Sequence, residues 1–244
     1  MAVRVEVCVT TLQEAVAAAS VGVDSVEVCT WLASGGVTPS TGLVRKVRER
    51  VPCLVRALVR PAVGPFHYDA MTLEVLLLDV HQFAAGGAGV VSGVLHPDGR
   101  WDEGPMERIR AASSGTELTF HRAIDHARDP VQVAEQCMAL GVERILSSGC
   151  AATALQGASV LRQMVRSAPG VIIAAGGGVR PENVVELVER SGVEEVHFSA
   201  QQWVLSATAG PSLGADPATL GATVVADLRR MDGILNALVK AGLR

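Results

Sequence analysis

The tripeptide Glu-Val-Cys occurs twice near the start of the chain, at residues 6–8 and 27–29. Because side chains alternate along a strand, each glutamate faces the same way as its cysteine. On adjacent parallel strands about 4.8 Å apart, Cys8 and Cys29 come within metal-bridging or even disulfide reach. Two soft sulfur ligands in a reducing compartment select Cu(I) or another thiophilic ion. Buried cysteines also act as small hydrophobic residues, so both interpretations stay open.

The two glutamates of these tripeptides need charge compensation if they face the interior. An isolated buried carboxylate is costly, so Glu6 and Glu27 require cationic partners. Arg60 and Arg122, which follow two later strands, are the predicted partners. Such pairs are either a structural charge network or the lining of a cationic pocket for a carboxylate or phosphate ligand.

The segment FHRAID combines three groups that suit proton transfer and anion binding. His121 is a proton carrier near neutral pH, Arg122 can bind an anion, and Asp125 can orient the imidazole. Since His121 and Arg122 are neighbours, alternation sends only one of them inward unless the strand has already ended. His197 and Ser199 share a face of the last predicted strand and form a second interior pair.

A run of three glycines, residues 176–178, follows the seventh predicted strand. Glycines let backbone amides approach a ligand closely, and many barrels hold a phosphate after strands seven and eight. The run therefore predicts an anion site. A tight turn before the next helix is the alternative, although such a turn needs only one or two glycines.

Short β-branched runs alternate with longer amphipathic stretches along the whole chain, as is typical of βα units. Thr11, Asp69 and Asp129 are predicted to cap helices. Eight strands are predicted, and they begin near Arg4, Ser25, Leu54, Gly89, Glu117, Arg144, Val171 and Glu195.

The order of these elements predicts an α/β fold, a single-domain (βα)8 TIM barrel. The longer connections follow the strands, which indicates a working face at the strand C-terminal ends. We expect one domain over residues 1–244, with a C-terminal helical segment from about residue 218. An open doubly wound sheet is the alternative architecture.

The amino-acid composition indicates which binding partners and which cellular compartment to expect. With 25 acidic and 21 basic side chains, a net charge of −4 and no long basic run, a nucleic-acid partner is not expected. Five cysteines without a C-x-x-C pair, and no secretory signal, favour a reducing cytoplasm. The least charged stretch, about residues 196–215, is broken by glycine and proline, so no membrane partner is expected.

Taken in order along the chain, these motifs resemble the CutC family of copper homeostasis proteins. The resemblance runs from the first strand to about Ala200. It implies a (βα)8 barrel, a cytoplasmic location, a homodimer or higher homo-oligomer, and an association with copper handling. The motifs that carry it are EVC at Glu6, EVCTWLASGGVTPS from Glu27, VRPAVGPFHY from Val59, FHRAID from Phe120, ILSSG from Ile145, AAGGGVRPENV from Ala174 and EVHFSA from Glu195.

The family motif also singles out positions that the residues alone do not, namely Tyr68, Ser148 and Gly149. The chain departs from the motif at Ala62–Phe66, which lacks the usual acidic residue and extra arginine, and at Trp31, where a small residue is usual. Both departures make the rim of the expected site more apolar. The ligand-binding candidates are then Arg60, Arg122, Tyr68, Ser148, Gly149, Gly177, Gly178, His197 and Ser199.

Two functional hypotheses follow. In the first, Cys8 and Cys29 bind Cu(I) as thiolates, with the glutamates supporting them. In the second, the chain is a lyase, isomerase or epimerase acting on a small phosphorylated or carboxylated metabolite. Its catalytic candidates are His121, Glu27, Glu6 and Asp125.

Overall fold

Eight parallel strands close into a barrel in chain order in the computed structural model, which describes residues 2–205 and 222–244. Each strand pairs with the next, and the eighth pairs with the first. The TIM-barrel prediction is confirmed, and the open-sheet alternative is wrong. The barrel strands are β1 (Arg4–Val9), β2 (Ser25–Val28), β3 (Leu54–Leu58), β4 (Gly89–Ser92), β5 (Leu118–Phe120), β6 (Arg144–Ser147), β7 (Ile172–Gly176) and β8 (Glu195–Ser199).

The helices lie between the strands and pack their apolar sides on the barrel. Valine, isoleucine and leucine dominate the strand faces turned toward them, as expected for a parallel sheet covered by helices. The predicted caps are confirmed, because Thr11, Asp69 and Asp129 accept backbone hydrogen bonds in the first helical turns. The helices are α1 (Leu12–Ser20), α2 (Thr41–Arg50), α3 (Ala70–Ala85), α4 (Glu103–Ala112), α5 (Pro130–Ala139), α6 (Ala158–Ser167), α7 (Val184–Ser191) and α8 (Leu228–Lys240).

A two-stranded antiparallel sheet, β9 (Gln201–Leu205) with β10 (Ala222–Ala226), follows the barrel strands. The predicted start of the C-terminal helical segment, near residue 218, lies outside the described residues, and α8 begins at Leu228. Part of the weakly charged stretch 196–215 also lies outside them. Over the ranges that are described, no helix is long and apolar enough to cross a membrane.

Charged side chains fill the barrel interior toward the strand N-terminal ends. Glu6 is fully buried and pairs with both Arg56 and Arg144, whose side chains are 1% and 0% exposed. Arg144 also contacts Glu195 at 2.7 Å, and Arg56 contacts Glu117 at 2.5 Å. Burial favours protonation of Glu6, but the guanidiniums of Arg144 and Arg56 hold the pKa of that carboxyl well below its ordinary value. Glu6 is therefore an anion at neutral pH.

The predicted partners of the glutamates are wrong. Arg60 follows the end of β3, and its guanidinium donates to the backbone carbonyls of Ser34 and Gly36. Arg122 lies in a 3-10 helix after β5 and pairs with Asp125. In the described part of the chain, Glu6 instead pairs with Arg56, Arg144 and His197.

We predict that Arg144→Met lowers the free energy of unfolding by about 3–5 kcal/mol, because it removes a buried cation that Glu6 and Glu195 both contact and leaves the two buried carboxylates to share Arg56. Urea denaturation followed by circular dichroism measures the change. The matched control is Arg190→Met, which breaks the exposed pair with Glu186 and should change the free energy by less than about 1 kcal/mol. Equal effects of the two substitutions would contradict the assignment.

Candidate functional site

A cavity of about 300 Å³ opens at the C-terminal ends of the barrel strands. Cys8, Glu27 and Cys29 from β1, β2 and the residue after β2 form part of its lining, and His197 and Ser199 of β8 form another part. Parallel pairing places Cys8 between Glu27 on one side and Ser199 on the other. The working face predicted from the sequence therefore coincides with this cavity.

The two thiols are adjacent, as the repeated tripeptide predicts. Cys8 Sγ lies 3.1 Å from Cys29 Sγ, and the two residues are 3% and 0% exposed. Both are free cysteines, since a disulfide requires about 2.05 Å. The hydrogen bond with Cys29, burial and the nearby charge of Glu27 raise the pKa of the Cys8 thiol well above its ordinary value. Without a metal, Cys8 is therefore a thiol at neutral pH.

Oxygen and nitrogen donors lie close to the Cys8 sulfur. One ligand atom each from Cys8, Glu27 and His197 falls within a 4.8 Å group. His197 Nδ1 lies 2.9 Å from Glu6 Oε1, which leaves the other ring nitrogen for the cavity. A carboxylate behind a histidine in this way is typical of metal-binding imidazoles.

This donor set fits Cu(I). Two sulfur atoms and an imidazole are ligands that soft, monovalent copper accepts, whereas a carboxylate suits harder ions. Cys8 and Cys29 are therefore the residues that would hold copper, with His197 beside Cys8. Burial raises the pKa of Glu27, and its Oε2 is buried without a hydrogen-bond partner. Glu27 is therefore the least suitable of these residues as a copper ligand.

Three arginines line the same cavity: Arg60, Arg122 and Arg230. Arg122 donates to Asp125 and Ser148, and Arg230 donates to the carbonyl of Val179 and lies over the ring of Phe198. Glu27 is the only acidic residue in the described lining. The mouth is therefore positively charged.

The glycine run at residues 176–178 also borders this cavity, but packing and backbone conformation are enough to explain why these residues are glycines. A Cβ on Gly176 would lie 2.8 Å from the Leu146 side chain, and Gly177 and Gly178 adopt φ angles of 109° and 68°. All three glycines are thus required by packing and backbone conformation. The anion site remains a prediction, and its support comes from the arginines beside Gly177 and Gly178.

His121 is buried against Phe66 and does not contact Asp125. Its Nδ1 accepts the Ala123 amide at 3.2 Å, and its Nε2 is buried without a partner. Asp125 instead accepts hydrogen bonds from Arg122, Ser147 and Ser148. The expected orientation of the imidazole by this carboxylate is therefore wrong. β5 ends at Phe120, which allows His121 and Arg122 both to reach the mouth.

The positions added by the family motif lie around the cavity rather than in its lining. Ser148 connects Arg122 to Asp125, and Gly149 packs where a Cβ would meet the Gly157 carbonyl at 2.1 Å. The Tyr68 hydroxyl is buried without a partner. Trp31 is 62% exposed and lies outside the lining of this cavity, whereas the next residue, Leu32, is part of it.

Sequence reasoning missed three charged residues that shape the site. Arg56 and Arg144 contact Glu6, and the available signal was a cation within a short aliphatic strand, in the middle of β3 for Arg56 and at the start of β6 for Arg144. Arg230 comes from α8, 201 residues after Cys29 by numbering, and no local pattern marks it. Long-range closure of the barrel brings it to the mouth.

Comparisons with known proteins agree on one family. A family model described as the CutC family matches residues 3–202. A family protein CutC of Glaesserella parasuis serovar 5 (strain SH0165) is 35% identical over 237 residues, which cover 95% of this chain and 97% of that protein. The human copper homeostasis protein cutC homolog is 34% identical over 239 residues, or 94% and 88% of the two chains. A Streptococcus agalactiae CutC structure has a TM-score of 0.76 at 27% identity, over 80% of this chain and 98% of that one.

We predict that His121 makes stability fall on mild acidification. Burial and the charge of Arg60 lower the pKa of His121 to about 3, against 6.5 for an ordinary imidazole. The unfolded chain binds the proton first, so stability is complete above pH 6.5 and falls as the pH drops toward 3. Between pH 6.5 and 5 the loss from this group is about 2 kcal/mol.

Urea denaturation of His121→Asn across this range measures the effect, because asparagine can keep the acceptor for the Ala123 amide but does not titrate. The variant should lose about 2 kcal/mol less than the unaltered protein. His81→Asn, which removes an exposed imidazole on α3, is the control. Parallel pH profiles for all three proteins would disprove the assignment.

Proposed function

The chain belongs to the CutC family, and from this premise we propose that it takes part in copper homeostasis by binding Cu(I) between the thiolates of Cys8 and Cys29. One observation carries the proposal: the 3.1 Å approach of the two buried sulfur atoms, with His197 held by Glu6 beside them. The Cys8 thiol also donates a long hydrogen bond to Glu27 Oε1, at 3.9 Å.

The charges around the thiols support this function. A Cu(I) ion bound by two thiolates carries a net charge of −1, which is costly to bury in an apolar site. Arg60 in the cavity lining supplies compensating positive charge, whereas the charge of Arg122 is already paired with Asp125. The copper must displace the proton of Cys8, so the positive charge of Arg60 favours the metal-bound form over the thiol.

The setting of the proposed function follows from the same chemistry. Free thiols and Cu(I) both persist under reducing conditions, so we place the protein in the cytoplasm. Its ligands in this proposal are copper and small anions, and it works as a homodimer or higher homo-oligomer, in keeping with the family resemblance.

Competition against a Cu(I) chelator under anaerobic conditions tests the proposal. We expect Cys8→Ser and Cys29→Ser each to weaken Cu(I) binding by at least about 100-fold, since each removes a direct ligand. Cys53→Ser is the matched control, because Cys53 lies before β3 at the opposite end of the barrel. The Cu(I) affinity of this variant should be unchanged. Unaltered affinity in both site variants would sink the proposal.

A second candidate function is an enzyme that moves a proton on a small phosphorylated or carboxylated metabolite. The observation that favours it is a pair of buried, unpartnered polar atoms on the cavity residues Glu27 and His121. Burial favours the protonated form of Glu27, which suits a general acid, and Arg122 can hold the anionic group of a substrate. A lyase, isomerase or epimerase needs only these parts.

Thermal-shift screening with phosphorylated and carboxylated metabolites tests this candidate. It predicts that some of these anions raise the melting temperature of the copper-free protein, and that Arg122→Gln removes the increase. NMR should then show turnover that is lost in Glu27→Gln while binding is kept. A screen without any stabilising anion would count decisively against the enzyme.

A further inference from the structure

The two sulfur atoms lie at the bottom of a deep site, which limits what can deliver copper to them. Cys8 and Cys29 are at most 3% exposed, beneath a cavity of about 300 Å³. A folded donor protein cannot bring its own metal ligands to such a depth without opening the barrel mouth. A small molecule can, because cavities of about 300–1,000 Å³ suit ligands of that size.

A second cavity of about 600 Å³ adjoins the first, and we call it the outer cavity. The two share Arg60, Phe66 and Arg122 as lining residues, and the outer cavity adds His96 and His126. The ring of Phe66 lies between them, 4.9 Å from the ring of His121 and 5.2 Å from that of His126. The combined volume of the two cavities, about 900 Å³, is within the range of cavities that hold small molecules.

The charge of the cavity lining selects the chemistry of the molecule. Arg60, Arg122 and Arg230 line the inner cavity, and Glu27 is its one acidic residue in the described lining. Arg122 Nη1 lies 3.9 Å from the position that a Cβ on Gly177 would occupy, so this guanidinium faces the glycine turn. Arg230 Nε is buried without a hydrogen-bond partner. Guanidiniums with free donors bind carboxylates.

We propose, building on the copper function above, that the mouth formed by Arg122 and Arg230 binds the carboxylates of a small thiol compound that carries Cu(I) to Cys8 and Cys29. The substrate of the site is then a Cu(I)–thiolate complex rather than a free ion. The arginines hold the carrier with its copper toward the buried sulfurs, and the outer cavity accommodates the rest of the molecule.

The transfer is a balanced ligand exchange. In the carrier complex, the core of one Cu(I) and two thiolate sulfurs has a charge of −1, apart from the carboxylates of the carrier. Two copper–sulfur bonds to the carrier break, and two form to Cys8 and Cys29. The protons of the two cysteine thiols leave on the two released carrier thiols, so the bound complex again has a charge of −1. Copper remains Cu(I), and no oxidant or reductant is required.

The test compares carriers that differ in charge. Cu(I) is presented to the full-length protein as its complex with glutathione, which has two carboxylates, or with cysteamine, which is cationic. Rapid desalting at set times gives the copper held by the protein. We expect transfer from glutathione to be about tenfold faster at low salt, and Arg122→Gln and Arg230→Gln each to remove most of this advantage.

Arg229→Gln is the matched control, because Arg229 precedes Arg230 on α8 but lines a different surface cavity. It should leave both rates unchanged. S-methylglutathione, which keeps the carboxylates but has no free thiol, should slow transfer from glutathione in the unaltered protein. Equal rates from the two carriers, or rates from glutathione that neither arginine variant changes, would overturn the proposal.

Equilibrium Cu(I) affinity separates this inference from the function on which it rests. Chelator competition should give nearly the same affinity for the unaltered protein, Arg122→Gln and Arg230→Gln, because the copper ligands are intact. If the Cu(I) affinity is normal but transfer shows no preference for the anionic carrier, only the carrier proposal is refuted. Failure of the unaltered protein to compete for Cu(I) refutes copper binding and the carrier together.

Discussion

The buried carboxylate of Glu6 is the interaction on which the rest of the structure depends. It lies inside the barrel between the guanidiniums of Arg56 and Arg144 and also accepts a hydrogen bond from His197 Nδ1. Without both cations, burial would protonate the carboxyl or prevent the strands from closing around it. The same group therefore ties β1 to β3, β6 and β8 and fixes the imidazole that faces the cavity.

This arrangement divides the barrel interior into two parts. Toward the strand N-terminal ends, the charges satisfy one another and stabilise the fold. Toward the C-terminal ends, Cys8, Cys29 and Glu27 face a cavity whose arginines have unused hydrogen-bond donors. The first part positions the second, since Glu6 and Cys8 are two residues apart on one strand.

Much of the fold and part of the site could be predicted from the sequence. The alternation of side chains along β1 and β2 predicted that the two cysteines lie together, and the order of strands and helices predicted the barrel. Both predictions rest on local periodicity. The partners of Glu6 could not be predicted in this way. Arg56 and Arg144 reach it only because the barrel is tilted and closed, and Arg230 reaches the mouth only through the packing of α8.

X-ray absorption at the copper edge of the Cu(I)-loaded protein tests the central claim most directly. Two sulfur ligands in the first coordination shell, one of them lost in Cys8→Ser and in Cys29→Ser, is the result that a copper site between these thiols predicts. A shell with only nitrogen and oxygen ligands, or two sulfur ligands that survive both substitutions, would contradict it.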